Sequence, residues 1–159
     1  MQLVIADTGP VNYLLLIGHI DILPALFHKV ILPSAVLSEL TDPRTPLLVR
    51  NWAGDPPSWV DVRRPVEPVI AAPWAELGAG ETAALTLATE LHADLVLMDD
   101  KRAVAAAFEM GITVTGTLGI LARAGRLGLI DLADAFRRLK GTNFRYRQET
   151  MDRFLNGLS

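Results

Sequence analysis

Short apolar runs of strand length alternate along the chain with stretches of helical periodicity. The apolar runs lie at residues 3–6, 29–32, 59–62, 95–98 and 112–115. Helices are predicted between and after them, at about 10–18, 21–27, 34–41, 44–54, 80–92, 101–109, 117–125, 131–139 and 146–157. Strands that alternate with helices require crossover connections. The pattern therefore predicts an α/β fold with three layers, α/β/α, around a mostly parallel sheet of about five strands.

The first and fourth apolar runs, LVIA and LVLM, are hydrophobic at every position. A strand that is covered on both faces has this continuous pattern, whereas a half-exposed strand alternates apolar and polar residues. We therefore predict that these two strands form the centre of the sheet. The segment 63–79 contains three prolines and is predicted to be an extended connection rather than a linker between domains.

The composition limits the class of protein. A chain of 159 residues that is 50% hydrophobic fills one core, so we expect a single domain over 1–159, with 131–159 as a C-terminal helical extension. The net charge of −3 excludes polyanion binding through overall charge, and the absence of cysteine excludes a thiol nucleophile or a thiolate metal site. With neither a signal peptide nor a long apolar segment, we expect a cytoplasmic protein without membrane contact.

Acidic residues directly follow two of the predicted strands. Asp7 comes at the end of the first apolar run, and Asp99 and Asp100 follow the fourth. In open parallel sheets, the loops at the carboxyl ends of the strands form the ligand crevice. If the first and fourth strands are neighbours, their trailing carboxylates face each other across that crevice.

Two further acids lie where a helix could direct them to the same place. Glu39 is near the boundary of the buried face of its helix, and Glu81 is in the first helical turn, where the helix dipole favours negative charge. Carboxylates brought together repel one another unless a cation neutralises them, and an all-oxygen set selects Mg²⁺ or Mn²⁺. Such a site activates water against a phosphodiester without a protein nucleophile. Hydrolysis of nucleic acid is therefore the leading reaction.

Each of these acids also has a purely structural interpretation. Asp7 could cap a strand-to-helix turn, and Glu39 could be a solvated helix residue. Glu81 could simply be an acid in the first turn of a helix, where the helix dipole favours it. One carboxylate of the Asp99-Asp100 doublet is predicted to cap the helix that follows. We assign Asp99 to the metal side because it is nearest the strand end, and we keep Asp100 as the alternative.

Polar and basic neighbours of these acids also have two interpretations. Lys101 and Arg102 are either solvated or contact a substrate phosphate. Thr8, Thr115 and Thr117 are either structural or hold a water or substrate oxygen at the crevice. We take Thr8, Lys101, Arg102 and Thr117 as candidate substrate-binding residues.

The segment 135–147, AFRRLKGTNFRYR, combines cations with aromatic residues and contains no acid. Its cations are Arg137, Arg138, Lys140, Arg145 and Arg147, and its aromatic residues are Phe136, Phe144 and Tyr146. Cations that contact phosphates and aromatics that stack on bases are typical of proteins that bind single-stranded nucleic acid. The alternatives are a solvated helix end with packed aromatics, or a groove for the acidic helix of a partner.

Four motifs in this order carry a family resemblance. They are DTGP at 7–10, SEL at 38–40, GAGE at 78–81, and LMDDKRA at 97–103 followed by GITVTGTLGIL at 111–121. With these motifs, the chain resembles the compact bacterial and archaeal branch of the PIN-domain proteins over about residues 3–130.

The resemblance implies a PIN-like fold with a five-stranded parallel sheet and a Mg²⁺- or Mn²⁺-dependent ribonuclease with RNA as its substrate. Members of this branch are often the toxin of a toxin–antitoxin pair, so the resemblance also implies a small antitoxin as a candidate partner. Homodimers are common in the family, so a homodimer is expected as well. The family's acidic quartet corresponds to Asp7, Glu39, Glu81 and one of Asp99 and Asp100.

The chain departs from the toxin pattern in two places. Thr8-Gly9-Pro10 follows Asp7, where toxins commonly have a serine two positions after the acid, and Thr115-Gly116-Thr117 follows the fifth strand in place of a further acid. The alternative function is therefore a weak or inactive PIN-fold module that binds RNA or a protein partner. A phosphoacceptor receiver domain is disfavoured, because its acidic doublet follows the first strand and not the fourth.

Overall fold

The computed structural model describes residues 2–66 and 76–157, and within these ranges five strands form one parallel sheet. The strands are β1 (Val4–Ala6), β2 (Val30–Pro33), β3 (Val60–Arg63), β4 (Leu95–Leu97) and β5 (Val114–Thr115). Their order is β3-β2-β1-β4-β5, and every pairing is parallel. The predicted parallel sheet is confirmed.

Helices connect the strands at the positions that the sequence pattern predicts. In the described ranges they are α1 (Thr8–Leu16), α2 (Ile22–Phe27), α3 (Ser34–Leu40), α4 (Leu47–Gly54), α5 (Ala79–Leu91), α6 (Lys101–Glu109), α7 (Thr117–Arg126), α8 (Leu132–Lys140) and α9 (Gln148–Leu155). The ends differ most at α1, α4 and α9, and α9 is two residues shorter at each end than predicted. Helix α1 begins directly after Asp7, because Pro10 falls in the first turn, where its missing N–H is not needed. Helix α4 begins later than predicted, because a turn closed by the Thr45 amide and the Asp42 carbonyl (2.9 Å) precedes it.

Strands β1 and β4 are neighbours at the centre of the sheet. Their register pairs Val4 with Leu95 and Ala6 with Leu97, and every residue of both strands is buried. This confirms the expectation from their continuous hydrophobicity. The carboxyl ends of the two strands consequently lie side by side.

Side chains of each central strand alternate between two apolar clusters on opposite faces of the sheet. Val4, Ala6 and Leu97 belong to the larger cluster, to which α1–α4 and α7–α9 contribute. Ile5 and Val96 belong to the smaller cluster, which is completed by α5 and α6. The fold is therefore a three-layer α/β/α arrangement, and the strands are apolar throughout because helices cover both faces.

The C-terminal helices are part of the larger cluster. Phe136 and Leu139 of α8 and Met151 of α9 are buried in it. Phe136 is therefore unavailable for stacking on a base. Residues 67–75 of the predicted extended connection 63–79 lie outside the described residues.

None of the helices in the described ranges combines the length and the apolar character that crossing a membrane requires.

Helix α6 offers a direct test of the capping role of the acidic doublet. Asp100 accepts hydrogen bonds from the backbone amides of Arg102 and Ala103, both at 3.0 Å. We expect Asp100→Ala to lower the free energy of unfolding by about 1 kcal/mol, and Asp100→Asn, which keeps an acceptor, to change it little. Urea denaturation followed by circular dichroism measures both.

Asp21→Ala is the matched control, because Asp21 precedes α2 but its side chain makes no capping bond. A loss of equal size in Asp21→Ala would contradict the specific role of Asp100.

Candidate functional site

Asp7 lies where β1 passes into α1, next to the end of β4. Its backbone is extended, and its amide donates to the Leu97 carbonyl at 2.9 Å, which continues the β1–β4 ladder by one residue. The side chain is only 5% exposed. Its Oδ1 atom has no hydrogen-bond partner among the described residues. A buried carboxylate oxygen without a donor is unfavourable, so this atom is the first candidate for contact with a cation.

Burial raises the pKa of Asp7 from its usual 3.8 to about 7. The backbone N–H of Thr8 opposes this shift, whereas the charges of Glu81, Glu39 and Asp99 add to it. The three acids that the sequence pattern grouped with Asp7 therefore act electrostatically on the same carboxyl group. The site disfavours the ionised form of Asp7 unless positive charge enters it.

Asp99 follows β4 and is held by the N-terminus of α7. Its Oδ1 accepts from the Thr117 amide at 2.7 Å, and its Oδ2 accepts from the Thr117 hydroxyl at 2.6 Å. Gly116 permits this approach, since a Cβ atom there would stand 2.8 Å from Oδ1. Burial raises the pKa of Asp99, and the two bonds from Thr117 oppose the rise. The hydroxyl of Thr117 is therefore occupied in orienting Asp99.

Asp100 has a different environment from its neighbour. It is exposed and caps α6, as one member of the doublet was predicted to do. The two acids diverge because Asp99 turns toward α7, whereas Asp100 turns back onto its own helix.

Glu39 joins α3 to two other helices. Its Oε2 accepts from the Thr8 hydroxyl at 2.5 Å, and its Oε1 accepts from the Gly80 amide at 2.9 Å. A Cβ atom at Gly80 would stand 2.7 Å from Oε1, so the glycine allows the contact. Glu39 is exposed, but both of its carboxylate oxygens accept hydrogen bonds from other helices, so it is not simply solvated.

Glu81 occupies the third position of α5 and accepts from the Gly78 amide at 2.6 Å through Oε2. Burial raises its pKa, the bond from Gly78 opposes this, and the charges of Asp100 and Glu39 raise it further. Its helical position satisfies an N-terminal amide, and its charge acts in the same acidic site. The structural and functional interpretations of Glu81 are therefore compatible.

The acids share one end of the sheet but are not assembled as a ligand set. Among residues 2–66 and 76–157, no group of three acidic or histidine side chains is close enough to hold a metal ion. Hydrogen bonds to helix N-termini hold Asp99, Glu39 and Glu81. The candidate metal-ligand atoms are nevertheless all oxygens, and Asp7 Oδ1 has no hydrogen-bond partner in the described ranges. Both features fit a hard divalent cation.

A groove of about 1220 Å³ runs along this end of the sheet. Glu81, Asp99 and Asp100 line it together with Lys101 and Arg102 of α6. Lys101 is exposed, and Arg102 lies 3.5 Å from Glu76 in a pair that is exposed on both sides. An exposed pair of this kind contributes little to stability, so both cations can meet a ligand.

Tyr13 and Asn143 are among the groove residues that were not identified from the sequence. The Tyr13 hydroxyl donates to Asn143 Oδ1 at 2.9 Å, and both residues line the groove. No local pattern could reveal this contact, because its partners are 130 positions apart in the chain.

Asp7 makes the stability of the metal-free protein dependent on pH. The pKa of Asp7 is higher in the folded than in the unfolded state, so protonated Asp7 makes its full contribution to the free energy of unfolding below pH 3.8. This contribution is lost as the pH rises through about 7. Asp7→Asn, which stays neutral, should therefore raise the free energy of unfolding at about pH 8 by roughly 2 to 4 kcal/mol, with little effect near pH 4. Urea denaturation in EDTA at both pH values measures this.

Asp55→Asn serves as the control, since Asp55 is exposed at the end of α4. A stability difference for Asp7→Asn that is the same at both pH values would contradict the raised pKa.

Comparison with known proteins agrees with this architecture. A family model described as a PIN domain matches residues 3–159. No curated protein and no solved structure gave a significant match. PIN domains are generally nucleases that use divalent metal ions and act on nucleic acid. Since the match covers nearly the whole chain, and the parallel sheet and the ordered motifs agree with it, the chain belongs to the PIN-domain family.

Proposed function

We propose that the chain is a metal-dependent ribonuclease that hydrolyses RNA phosphodiesters. In this proposal Asp7, Glu81 and Asp99 hold Mg²⁺ or Mn²⁺, Glu39 ties the surrounding helices together, and Asp100 caps α6 beside the site. The observation that carries it is the buried Asp7 carboxyl, whose Oδ1 has no partner within the described ranges and whose pKa is about 7. A site in which a carboxylate is buried and surrounded by other acids is suited to a cation.

The residues of the chain prepare this site in three ways. Thr117 orients Asp99 through two hydrogen bonds, and Glu39 links α1 to α5 through Thr8 and Gly80. Positive charge favours the ionised form of Asp7, so loading at or below about pH 7 releases its proton. When bound, the divalent ion supplies the positive charge that activates water and neutralises the phosphodiester.

A second candidate is a module that binds RNA or a protein partner with little or no catalysis. The observation that favours it is the absence, among the described residues, of an assembled group of three ligands. Under this alternative, the hydrogen bonds of Asp99 and Glu39 are permanent and the acids serve to join helices. Metal binding separates the two candidates.

Isothermal titration with Mn²⁺ should detect binding to the unaltered protein and none to Asp7→Asn. Cleavage of single-stranded RNA should disappear with Asp7→Asn and with EDTA, and should return on adding Mn²⁺ to the unaltered protein. Thr117→Val, which replaces the hydroxyl that orients Asp99 with a methyl group, should weaken metal affinity about 10- to 100-fold.

Asp55→Asn should match the unaltered protein in both assays. Cleavage that persists undiminished in Asp7→Asn would exclude the proposed mechanism, and unchanged Mn²⁺ affinity would exclude Asp7 as a ligand.

The family resemblance extends the proposal to the cellular role. The ribonuclease would be the toxin of a toxin–antitoxin pair, would be restrained by a small antitoxin protein, and would form a homodimer. Induced expression in a bacterial host should then arrest growth, because cellular RNA is cleaved. Asp7→Asn should abolish the arrest at equal protein level, measured by culture density and immunoblot. Arrest that is equally strong with Asp7→Asn would contradict this role.

A further inference from the structure

Residues 143–147 belong to the connection between α8 and α9, and they lie against the groove that contains the acids. Asn143, Arg145, Tyr146 and Arg147 line this groove together with Asp99. The groove therefore has acids on one part of its surface and, on another, a short segment rich in cations and aromatics. We call residues 143–147 the basic wall.

The basic wall is anchored to α1. Tyr13 donates a hydrogen bond to Asn143 at 2.9 Å, and its ring meets that of Phe144 edge to face at 5.0 Å between centroids. Burial raises the pKa of Tyr13, the charge of Asp99 raises it further, and the charge of Arg145 lowers it. Tyr13, Asp99 and Arg145 line the same groove, so the wall stands close to the acids.

The cations of the 135–147 segment are not equivalent. Arg137 and Arg138 both pair with Asp134, and Arg138 also donates to the Ile17 carbonyl at 3.1 Å. Arg145 and Arg147, in contrast, are exposed and form no ion pair within the described part of the chain. Arg145 and Arg147 are therefore available to a ligand at the groove.

The aromatic residues of the segment are sorted in the same way. Phe136 is buried in the core and Phe144 packs on Tyr13, whereas Tyr146 is 41% exposed and lines the groove. Lys140 Nζ lies 5.6 Å from the centre of the Tyr146 ring, a distance at which a cation–π contact helps to hold the ring. Tyr146 is therefore the aromatic of this segment that can meet a base.

We propose that the basic wall binds single-stranded RNA, with Arg145 and Arg147 on successive phosphates and Tyr146 stacked on an unpaired base. Lys101 and Arg102 contact the RNA from the α6 side, so that the scissile phosphate lies at the acids between α6 and the basic wall. A stacked tyrosine requires a base that is free of its complement, which selects a single strand over a duplex. This inference rests on the proposed ribonuclease function, because it specifies how that enzyme holds its substrate.

Binding measured without metal tests the wall separately from catalysis. The probe is a fluorescein-labelled single-stranded RNA of about 12 nucleotides, titrated with protein in EDTA and followed by anisotropy at several salt concentrations. Arg145→Ala/Arg147→Ala should weaken binding at least tenfold. It should also make the slope of log affinity against log salt less negative by about 1.4, at about 0.7 per lost contact with a single strand. Tyr146→Ala should weaken binding at least about fivefold, whereas Tyr146→Phe should retain the affinity.

Lys29→Ala/Arg126→Ala is the control with the same change in charge. Lys29 precedes β2 at the amino end of the sheet, Arg126 is the last residue of α7, and neither lines the groove. This variant should keep both the affinity and the salt slope. An equal loss in the control, or no loss in Arg145→Ala/Arg147→Ala, would overturn the proposal, as would the absence of any binding by the unaltered protein. A duplex of the same length that binds as tightly as the single strand would also overturn it.

Failure of the wall and failure of the ribonuclease give different results. If Asp7→Asn still cleaves RNA while the wall variants lose binding, the metal mechanism is wrong and the wall stands. If the wall variants bind RNA normally while Asp7→Asn is inactive, the mechanism stands and the wall is wrong. If the wall variants bind RNA normally but lose affinity for a synthetic acidic helical peptide that the unaltered protein binds, the surface is a protein-docking site instead.

Discussion

The pairing of β1 with β4 is the constraint on which the rest of the site depends. Their parallel register ends with the hydrogen bond of 2.9 Å from the Asp7 amide to the Leu97 carbonyl, so that both chains leave the sheet side by side. Asp7 and Asp99 therefore reach the same edge although 92 positions separate them. This pairing in turn requires helices on both faces, because neither strand has a polar side that water could cover.

The second organising feature is the placement of carboxylates at helix N-termini. Asp100 caps α6, Asp99 accepts from the first amide of α7, and Glu39 and Glu81 accept from amides at the start of α5. These bonds offset part of the repulsion between the acids, since each places a negative charge at the positive end of a helix. Asp7 receives less compensation, because one of its oxygens has no donor in the described ranges, and burial raises its pKa to about 7. The electrostatic strain of the site is concentrated on this residue.

The same structure gives different surroundings to residues of the same type. Asp99 and Asp100 are identical adjacent side chains, yet Asp99 is only partly exposed and is bonded to Thr117, whereas Asp100 caps its own helix. Arg138 and Arg147 belong to one basic segment, yet Asp134 neutralises the first while the second lines the groove. In each case the difference arises from the neighbouring element that the side chain meets. The local pattern predicted one cap in the acidic doublet, but it did not distinguish the two arginines.

By itself, the sequence determined the type and order of the elements in the described ranges, the parallel sheet with β1 and β4 at its centre, and membership in the PIN-domain family. These follow from hydrophobic periodicity, turn residues and ordered motifs, which are local properties of the chain. Only the tertiary structure decided that Thr8 and Thr117 orient acids, that Phe136 belongs to the core, and that Tyr13 anchors residues 143–147 at the groove. Those contacts join distant parts of the chain, and packing rather than composition selects them.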